Sequence, residues 1–579
     1  MKLSESGVRM AWYVLACMLA VFTYFYGLDS QHIPKNSDEY PYEHITRLTA
    51  ESGKLLPLQS QMENMRNTKP PLLFWQGIAS TGWGSSWTLW NLRYPSVIYT
   101  LLTAAMLFAL GWKLSKSPEI SNRAETGFVA ALTFLAFFTT YRFGRPFLTN
   151  PPEVFWIFLP FFVLLYWRQA FVSRFAIPLL LGIAIGIGFL YKSFALGLPV
   201  TLGLAGWYLH RRQYRLLDFL RQDALKVAIA IAVAVAAFAL WFLLDPDPHA
   251  IWKEFVVGEN VGKFDPHGPS YLEKLLWGGS SIWSYAFAFL TNAGLLTFPV
   301  IAMFFVVYRR RVQLSDDEKL LLIWIAAMFI SFCLPSQRSG RYVLAAMPAV
   351  AVLCALNWQQ ISRKAFIATL VVAGAFITGI AYLAVRLQAE SQMYSPVIWV
   401  LPAATVALLL LAVFVPRFTR HAVNVVILLA MVCLAAFVRP FDGALGNFSA
   451  DAQRYASGKD VWVPCNFRAK DEGHRFILPG AEVHGYNEYQ NLTANELAGR
   501  YPLFALRQTM SAKEQNGDCA ACKVIGQRLD IRGRLSDNEI KQMILEGKVF
   551  QNLFIREVLL EAPAGEKVVP QQALAEICR

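Results

Sequence analysis

Charge is scarce in this chain. Only 16% of its 579 residues are Asp, Glu, Lys or Arg, against about 25% in an ordinary globular domain. The shortage is uneven. It is confined to residues 11–438, where apolar runs of about 20 residues recur, the length a helix needs to cross a bilayer; residues 439–579 read as a water-soluble segment. A soluble fold for the whole chain is excluded. No small-residue cleavage site closes the first apolar run, Ala11 to Leu28, so it reads as a retained first helix rather than a signal peptide. No internal repeat is evident, which speaks against a transporter built from two related halves. A second CxxC is also missing, so Cys519-Ala-Ala-Cys522 is at most half a zinc site.

What is present is a helical membrane domain. Helices satisfy their backbone polar groups internally and are the natural way to span lipid. The apolar runs predict roughly thirteen spanning helices, at 11–28 and near 94–113, 125–141, 153–167, 174–192, 195–209, 226–244, 277–308, 319–334, 341–358, 365–385, 396–415 and 421–438. The run at 277–308 is long enough to include a turn. Leu72 to Trp90, with four tryptophans, reads as interfacial.

The net charge of +13 does not indicate nucleic acid, because the basic residues lie in short loops and not on one amphipathic face. They report topology. Lys113, Lys116 and Arg123, Arg168 and Arg174, Arg211 to Arg221, Arg309 to Arg311, Arg363 and Lys364, and Arg417 and Arg420 mark alternate loops as cytoplasmic. The N-terminus is then cytoplasmic. Loops 29–93, 142–152, 245–276, 335–341 and 386–395 face the other side, together with a C-terminal domain from 439.

That domain shows helix and strand signals. Ser536 and Glu539 have capping-box spacing and Gly547 suits a helix end. Val461–Val463, Leu503–Leu506 and Val549–Leu560 read as strands, giving a small α/β unit. Four of the eight cysteines, Cys17, Cys333, Cys354 and Cys433, fall in apolar runs and read as small core residues. The other four, Cys465, Cys519, Cys522 and Cys578, suit disulfides in an oxidising compartment, with three connectivities open. The redox and half-zinc readings of the CxxC stand beside that one.

Chemistry points to the external loops. Taken singly, Asp38-Glu39 is a solvated surface pair and Lys69-Pro70-Pro71 a turn. Other external helix ends carry Arg142, Arg145 and Asn150; Lys192; Arg338, Arg341 and Tyr342; and Glu259, Asn260, Lys263 and His267. Positive charge on the external side runs against the topological bias. Snorkelling accounts for any one residue, but a cluster converging from several helix ends with a carboxylate beside it suits an anionic ligand such as a lipid-linked phosphate.

Seven segments, in order, carry a resemblance: NSDEYPYEHITRLTAESGKLLP, KPPLLFW, LRYPSV, RPFLTNPPEVFW, GFLYKSFALGLPV, ENVGKFDPHGPSYLEKLLW and RSGRYVLAAMPAVAVL. The chain resembles the GT-C type membrane glycosyltransferases of the ArnT-like group, which is similar to protein O-mannosyltransferases and includes the aminoarabinose transferase acting on lipid A. The resemblance implies an all-α polytopic membrane domain over 1–438, a soluble periplasmic α/β domain over 439–579, and a bacterial inner membrane location. It implies inverting transfer of a sugar from a polyprenyl-phosphate (undecaprenyl-phosphate) donor to lipid A, another envelope glycan or a protein such as pilin. Asp38 would be the catalytic carboxylate with Glu39 its neighbour. Lys69, Arg338 and Arg341 would hold the donor phosphate, with Lys192, Arg142 and Arg145 in the same basic cluster and Asn150 and Tyr342 beside it. No cofactor is implied with certainty. Glu259 and His267 form at most a partial site for a divalent metal, since Thr68 replaces the family's acidic residue before KPP. Asn150 replaces an aspartate, which weakens the carry-over of aminoarabinose specificity. A lipid-linked-sugar flippase and a non-catalytic envelope protein are the rival readings.

Overall fold

The computed structural model describes residues 5–263, 271–443, 445–510, 512, 514–532 and 535–563. Every apolar run expected to span is helical in it. Seven helices are long and apolar enough to cross a membrane: Ser6–Phe25, Leu89–Leu114, Ala224–Leu244, Ile282–Arg309, Arg363–Ser391, Pro396–Phe414 and Thr419–Asp442. Asn150–Tyr166, Ala176–Tyr191 and Gly340–Leu356 are shorter apolar helices packed among them.

The spans bury very different shares of themselves. Only 28% of the Ala224–Leu244 apolar window is covered by protein, against 83% for Thr419–Asp442. Val235, Leu240, Leu243 and Leu244 project outward. Such a surface needs lipid around it, whereas the 419–442 helix is the central post of the bundle. Close approach between neighbours rests on small residues. A Cβ on Gly111 would lie 2.7 Å from the Thr126 carbonyl of the next helix, and one on Gly127 equally close to the Phe108 carbonyl.

The turn expected within 277–308 is at Gly294, between Ile282–Ala293 and Thr297–Arg309. Its φ of +60° and the Phe138 Cβ only 2.4 Å from where its own Cβ would stand leave no room for another residue type.

The soluble domain is a five-stranded mixed sheet: β1 (Asp460–Cys465), β2 (Glu482–Asn487), β3 (Leu503–Thr509), β4 (Lys523–Ile531) and β5 (Phe554–Glu561), in the order β2-β1-β3-β5-β4. β1 runs parallel to β2 and β3, and β5 is antiparallel to β3 and β4. The Ser536–Glu539 capping box is formed at the start of Asp537–Leu545. The strand expected from Val549 begins later. Val549–Leu553 is a helical turn that buries Val549 after the φ +70° Gly547, and pairing starts at Phe554, opposite Ile531. Cys519 and Cys522 form a disulfide, Cys465 is also disulfide-bonded, and Cys578 lies outside the described residues. Cys17, Cys333, Cys354 and Cys433 are free.

Several contacts seat this domain on the bundle. Met543, Val549 and Phe554 join an apolar cluster with Ile380, Leu387, Phe437 and Phe441. On the other side, Glu472 accepts from His44 at 2.8 Å and from Arg47 at 2.6 Å on the first-loop helix Glu39–Glu51. Burial opposes its charge, but Arg47 and His44 outweigh that and hold its carboxyl far below the usual range.

Candidate active site

The Asp38-Glu39 pair divides at the start of a helix. Glu39 turns inward, where its carboxylate accepts from Arg93 Nε at 2.8 Å and Nη2 at 3.0 Å, from the Phe147 amide at 2.7 Å and from the Asn36 amide at 3.1 Å. These bonds fasten the first loop to the Leu89–Leu114 helix and to the 142–149 connection. Asp38 is the N-cap residue of the same helix, yet its side chain makes no capping bond. Its Oδ2 accepts from Arg341 at 2.6 Å and its Oδ1 from Arg468 at 3.4 Å. The first partner ends the 335–341 loop of the membrane domain; the second follows β1 in the soluble domain.

On the Arg341 side lies a cavity of about 430 Å³. Lys69, Glu153, Lys192 and Glu259 form its polar end, and Phe194, Leu198, Phe255, Phe332 and Leu334 its apolar wall. Lys69 Nζ donates to Glu259 at 3.1 Å and to the Thr68 carbonyl at 2.7 Å. Burial works against its charge, but Tyr42, Glu259 and Asp38 together keep its pKa above the ordinary lysine value. Lys192 follows the Ala176–Tyr191 helix and pairs with Glu153, which also accepts from the Asn150 side-chain Nδ2 at 3.3 Å. Tyr342 lines the cavity and packs its ring on Phe332. The arrangement can hold a phosphate between Lys69, Lys192 and Arg341 while a hydrocarbon tail follows the aromatic wall.

Lys69, Lys192, Arg341, Tyr342, Glu259 and Asn150 are thus gathered around Asp38 and this cavity. Arg145, Arg338 and Arg142 are placed elsewhere. Arg145 is fully buried and donates to the carbonyls of Tyr24 and Tyr26. Arg338 donates to the carbonyls of Cys333, Lys274 and Ser280. Arg142 lies over the rings of Phe138 and Phe143. The first two act as struts for chain ends that would otherwise leave carbonyls unpaired, and Glu39 is likewise a strut. His267 lies outside the described residues, and Glu259 is engaged by Lys69. Among the described residues no group of three or more His, Cys, Asp or Glu is placed to hold a metal.

Two members went unread in the sequence. Glu153 had a signal, an acid in the first turn of an apolar helix directly after two prolines. Arg468 had none, because only the folded chain carries it to Asp38.

No family model matches the chain. It is 25% identical over 363 residues to undecaprenyl phosphate-alpha-4-amino-4-deoxy-L-arabinose arabinosyl transferase 1 of Sodalis glossinidius, covering 61% of this chain and 60% of that one. It is 25% identical over 325 residues to the corresponding transferase of Pectobacterium carotovorum, covering 55% and 54%. The matches span about three fifths or less of those relatives. The fold is that of ArnT from Cupriavidus metallidurans. The undecaprenyl phosphate-bound structure of that protein aligns with a TM-score of 0.59 at 14% identity, over 95% of this chain and 98% of that one. Its apo structure gives the same TM-score over 86% and 93%.

Proposed function

We propose that this ArnT-like chain is an inverting glycosyltransferase that moves a sugar from a polyprenyl-phosphate donor to an envelope glycolipid of the lipid A type. The observation that carries the reading is the amphipathic cavity whose lysines stand beside the Asp38–Arg341 pair. A lipid-linked phosphate needs cations at one end and an apolar wall at the other, and the cavity has both. The relatives' names point to the same donor class.

In this reading the donor phosphate takes over Lys69, Lys192 and Arg341 from their present carboxylate partners. An acceptor oxygen attacks the anomeric carbon from the face opposite the phosphate. The bond between that carbon and the phosphate oxygen breaks, and the leaving polyprenyl phosphate gains a negative charge. Preorganised cations stabilise that charge as it develops. Where the acceptor is a hydroxyl, its proton passes to Asp38; where it is a phosphate, Asp38 orients it. The chain lies in a bacterial inner membrane, with residues 1–438 as the transferase domain and residues 439–579 in the periplasm.

Transfer of radiolabelled sugar from extracted polyprenyl-phosphate donors by purified protein tests the reading. Label should appear in a lipid A-type acceptor and vanish with Asp38→Ala. Label appearing in a protein fraction instead would replace the acceptor. Donor translocation in liposomes without any transfer would replace the enzyme with a flippase.

A further inference from the structure

A cavity of about 330 Å³ lies at the end of the bundle away from Asp38. The Leu89–Leu114 helix gives the distance. Arg93, near its start, holds Glu39, while Ser115, just past its end, lines the cavity. The helical rise between those positions puts them about 33 Å apart. The other walls come from Arg9 in the first spanning helix, from Asn122 and Glu125 in the helix Ile120–Ala136, and from Trp358 and Gln359 beyond Met347–Leu356. The cavity thus sits where spans end, the depth at which phospholipid heads lie.

Its lining carries one cation and one anion, and they meet. Arg9 Nη1 donates to Glu125 at 3.2 Å, and Glu125 also accepts from the Tyr13 hydroxyl at 3.3 Å. His421, which does not line the cavity, has its Nδ1 3.7 Å from the same carboxylate and 2.8 Å from the Tyr13 hydroxyl. The wall is electrically balanced, so a ligand with net charge of either sign would enter against Glu125 or Arg9. Donors are nevertheless left over. Trp358 lines the cavity, and its buried indole N–H has no partner among the described residues. A buried N–H left in that way costs stability that an acceptor oxygen recovers. Arg9 spends only Nη1 on a bond to the described residues, and its side chain is 40% exposed. The rest of its fork of donors is available.

We propose that this cavity holds the zwitterionic head of an aminoethyl phospholipid, the phosphate on Arg9 and Trp358 and the ammonium on Glu125. The lining calls for both halves. A phosphate supplies acceptor oxygens for the unused N–H groups, and arginine meets it with parallel donors. The ammonium takes up the Glu125 charge as Arg9 turns to the phosphate, with the Asn122 side-chain carbonyl in the same wall as a second acceptor. Net charge stays at zero. The volume is at the lower end of small-molecule sites and suits a head of this size. Val8 and Leu15 project outward from the same helix as Arg9 and offer apolar surface to the tails. None of this depends on the transfer reaction.

Native mass spectrometry of the full-length protein in detergent tests the proposal. The probes are phospholipids of identical chains whose heads are aminoethyl phosphate, choline phosphate or glycerol phosphate. The aminoethyl lipid should be retained at least about tenfold more than either of the others. Choline has no N–H to donate and glycerol has no cation, so this order reads the Glu125 contact. Arg9→Gln should cut retention about tenfold, the loss of a charged hydrogen bond. Trp358→Phe keeps an apolar ring and removes the N–H; it should cut retention about fivefold and gives a second variant should the first misfold. Glu125→Gln should erase the preference over the choline lipid. Equal retention of the three lipids, or retention unmoved by both Arg9→Gln and Trp358→Phe, would overturn the proposal. So would stronger retention of the glycerol lipid, the mark of a merely basic surface. Free aminoethyl phosphate that displaces the lipid at equal concentration would overturn the lipid as the source of the head.

Discussion

Arg468 reaches from the soluble domain to within 3.4 Å of the Asp38 carboxylate, 430 residues earlier in the chain. Both residues are part-exposed, with 43% of the Arg468 side chain and 25% of the Asp38 side chain open to solvent. Such pairs contribute little to stability. Arg468→Ala should therefore leave the melting temperature within a degree or two while slowing transfer about tenfold. A large loss of stability with activity per folded molecule intact would make Arg468 a structural tie instead.

The two halves of the acidic pair should respond in opposite ways. Asp38→Asn should keep the fold and lower kcat by about 10²–10⁴-fold, the range for a lost general base. Glu39→Gln leaves Arg93 buried without its counter-charge, which costs about 3–5 kcal/mol. Detergent melting and single-turnover transfer, run on the same preparations, separate the two effects. Matching behaviour in the two variants would refute the division of labour.

Lys192 and Glu153 should show strong coupling. Lys192→Met strands the Glu153 carboxylate, which is only 3% exposed, and should destabilise the protein by about 3–5 kcal/mol. Adding Glu153→Gln should restore most of that stability without restoring transfer. A double-mutant cycle in melting temperature and in rate tests this; additive losses in stability would show the pair to be independent.

Acid should loosen the junction near His32. Its burial, followed by the charge of Lys35, lowers its pKa from 6.5 to about 4. The unfolded chain then binds more protons than the folded one between those values. Its contribution, at most about 3.4 kcal/mol, is complete above pH 6.5, is lost as the pH falls toward 4, and stays lost below. His32→Asn should flatten the melting curve's pH dependence across that window. An unchanged slope would assign it to other groups.

The helical membrane domain was legible because long apolar runs are recognisable without knowledge of neighbours; the number of spans was not, since among the described residues seven helices reach spanning length and three apolar helices are shorter. Lys192 and Arg341 stood out for a related reason, since cations at external helix ends contradict the topological bias, whereas Lys69 was singled out only by the resemblance of its KPP segment. The division between Asp38 and Glu39 was not legible. Adjacent residues at a helix start point in different directions, and which one turns inward depends on Arg93, which is 54 residues away. Arg338 and Arg145 carry the same charge as Arg341 in similar loops, and only tertiary structure shows that nearby carbonyls have claimed them. Val549–Leu553 read as strand because it leads with Val549 and Phe550 into the apolar run ending at Leu560; the left-handed turn at Gly547 precedes a helical turn there instead.

The bonds from Glu472 to His44 and Arg47 impose an order on assembly. The loop bearing Asp38 is made early, but its helix remains unanchored on one side until residues 460–561 have been synthesised and folded against it. Half of the carboxylate's arginine clamp arrives with that same unit. Until that unit has folded, Asp38 lacks one of its two arginines and the helix that follows it lacks an anchor.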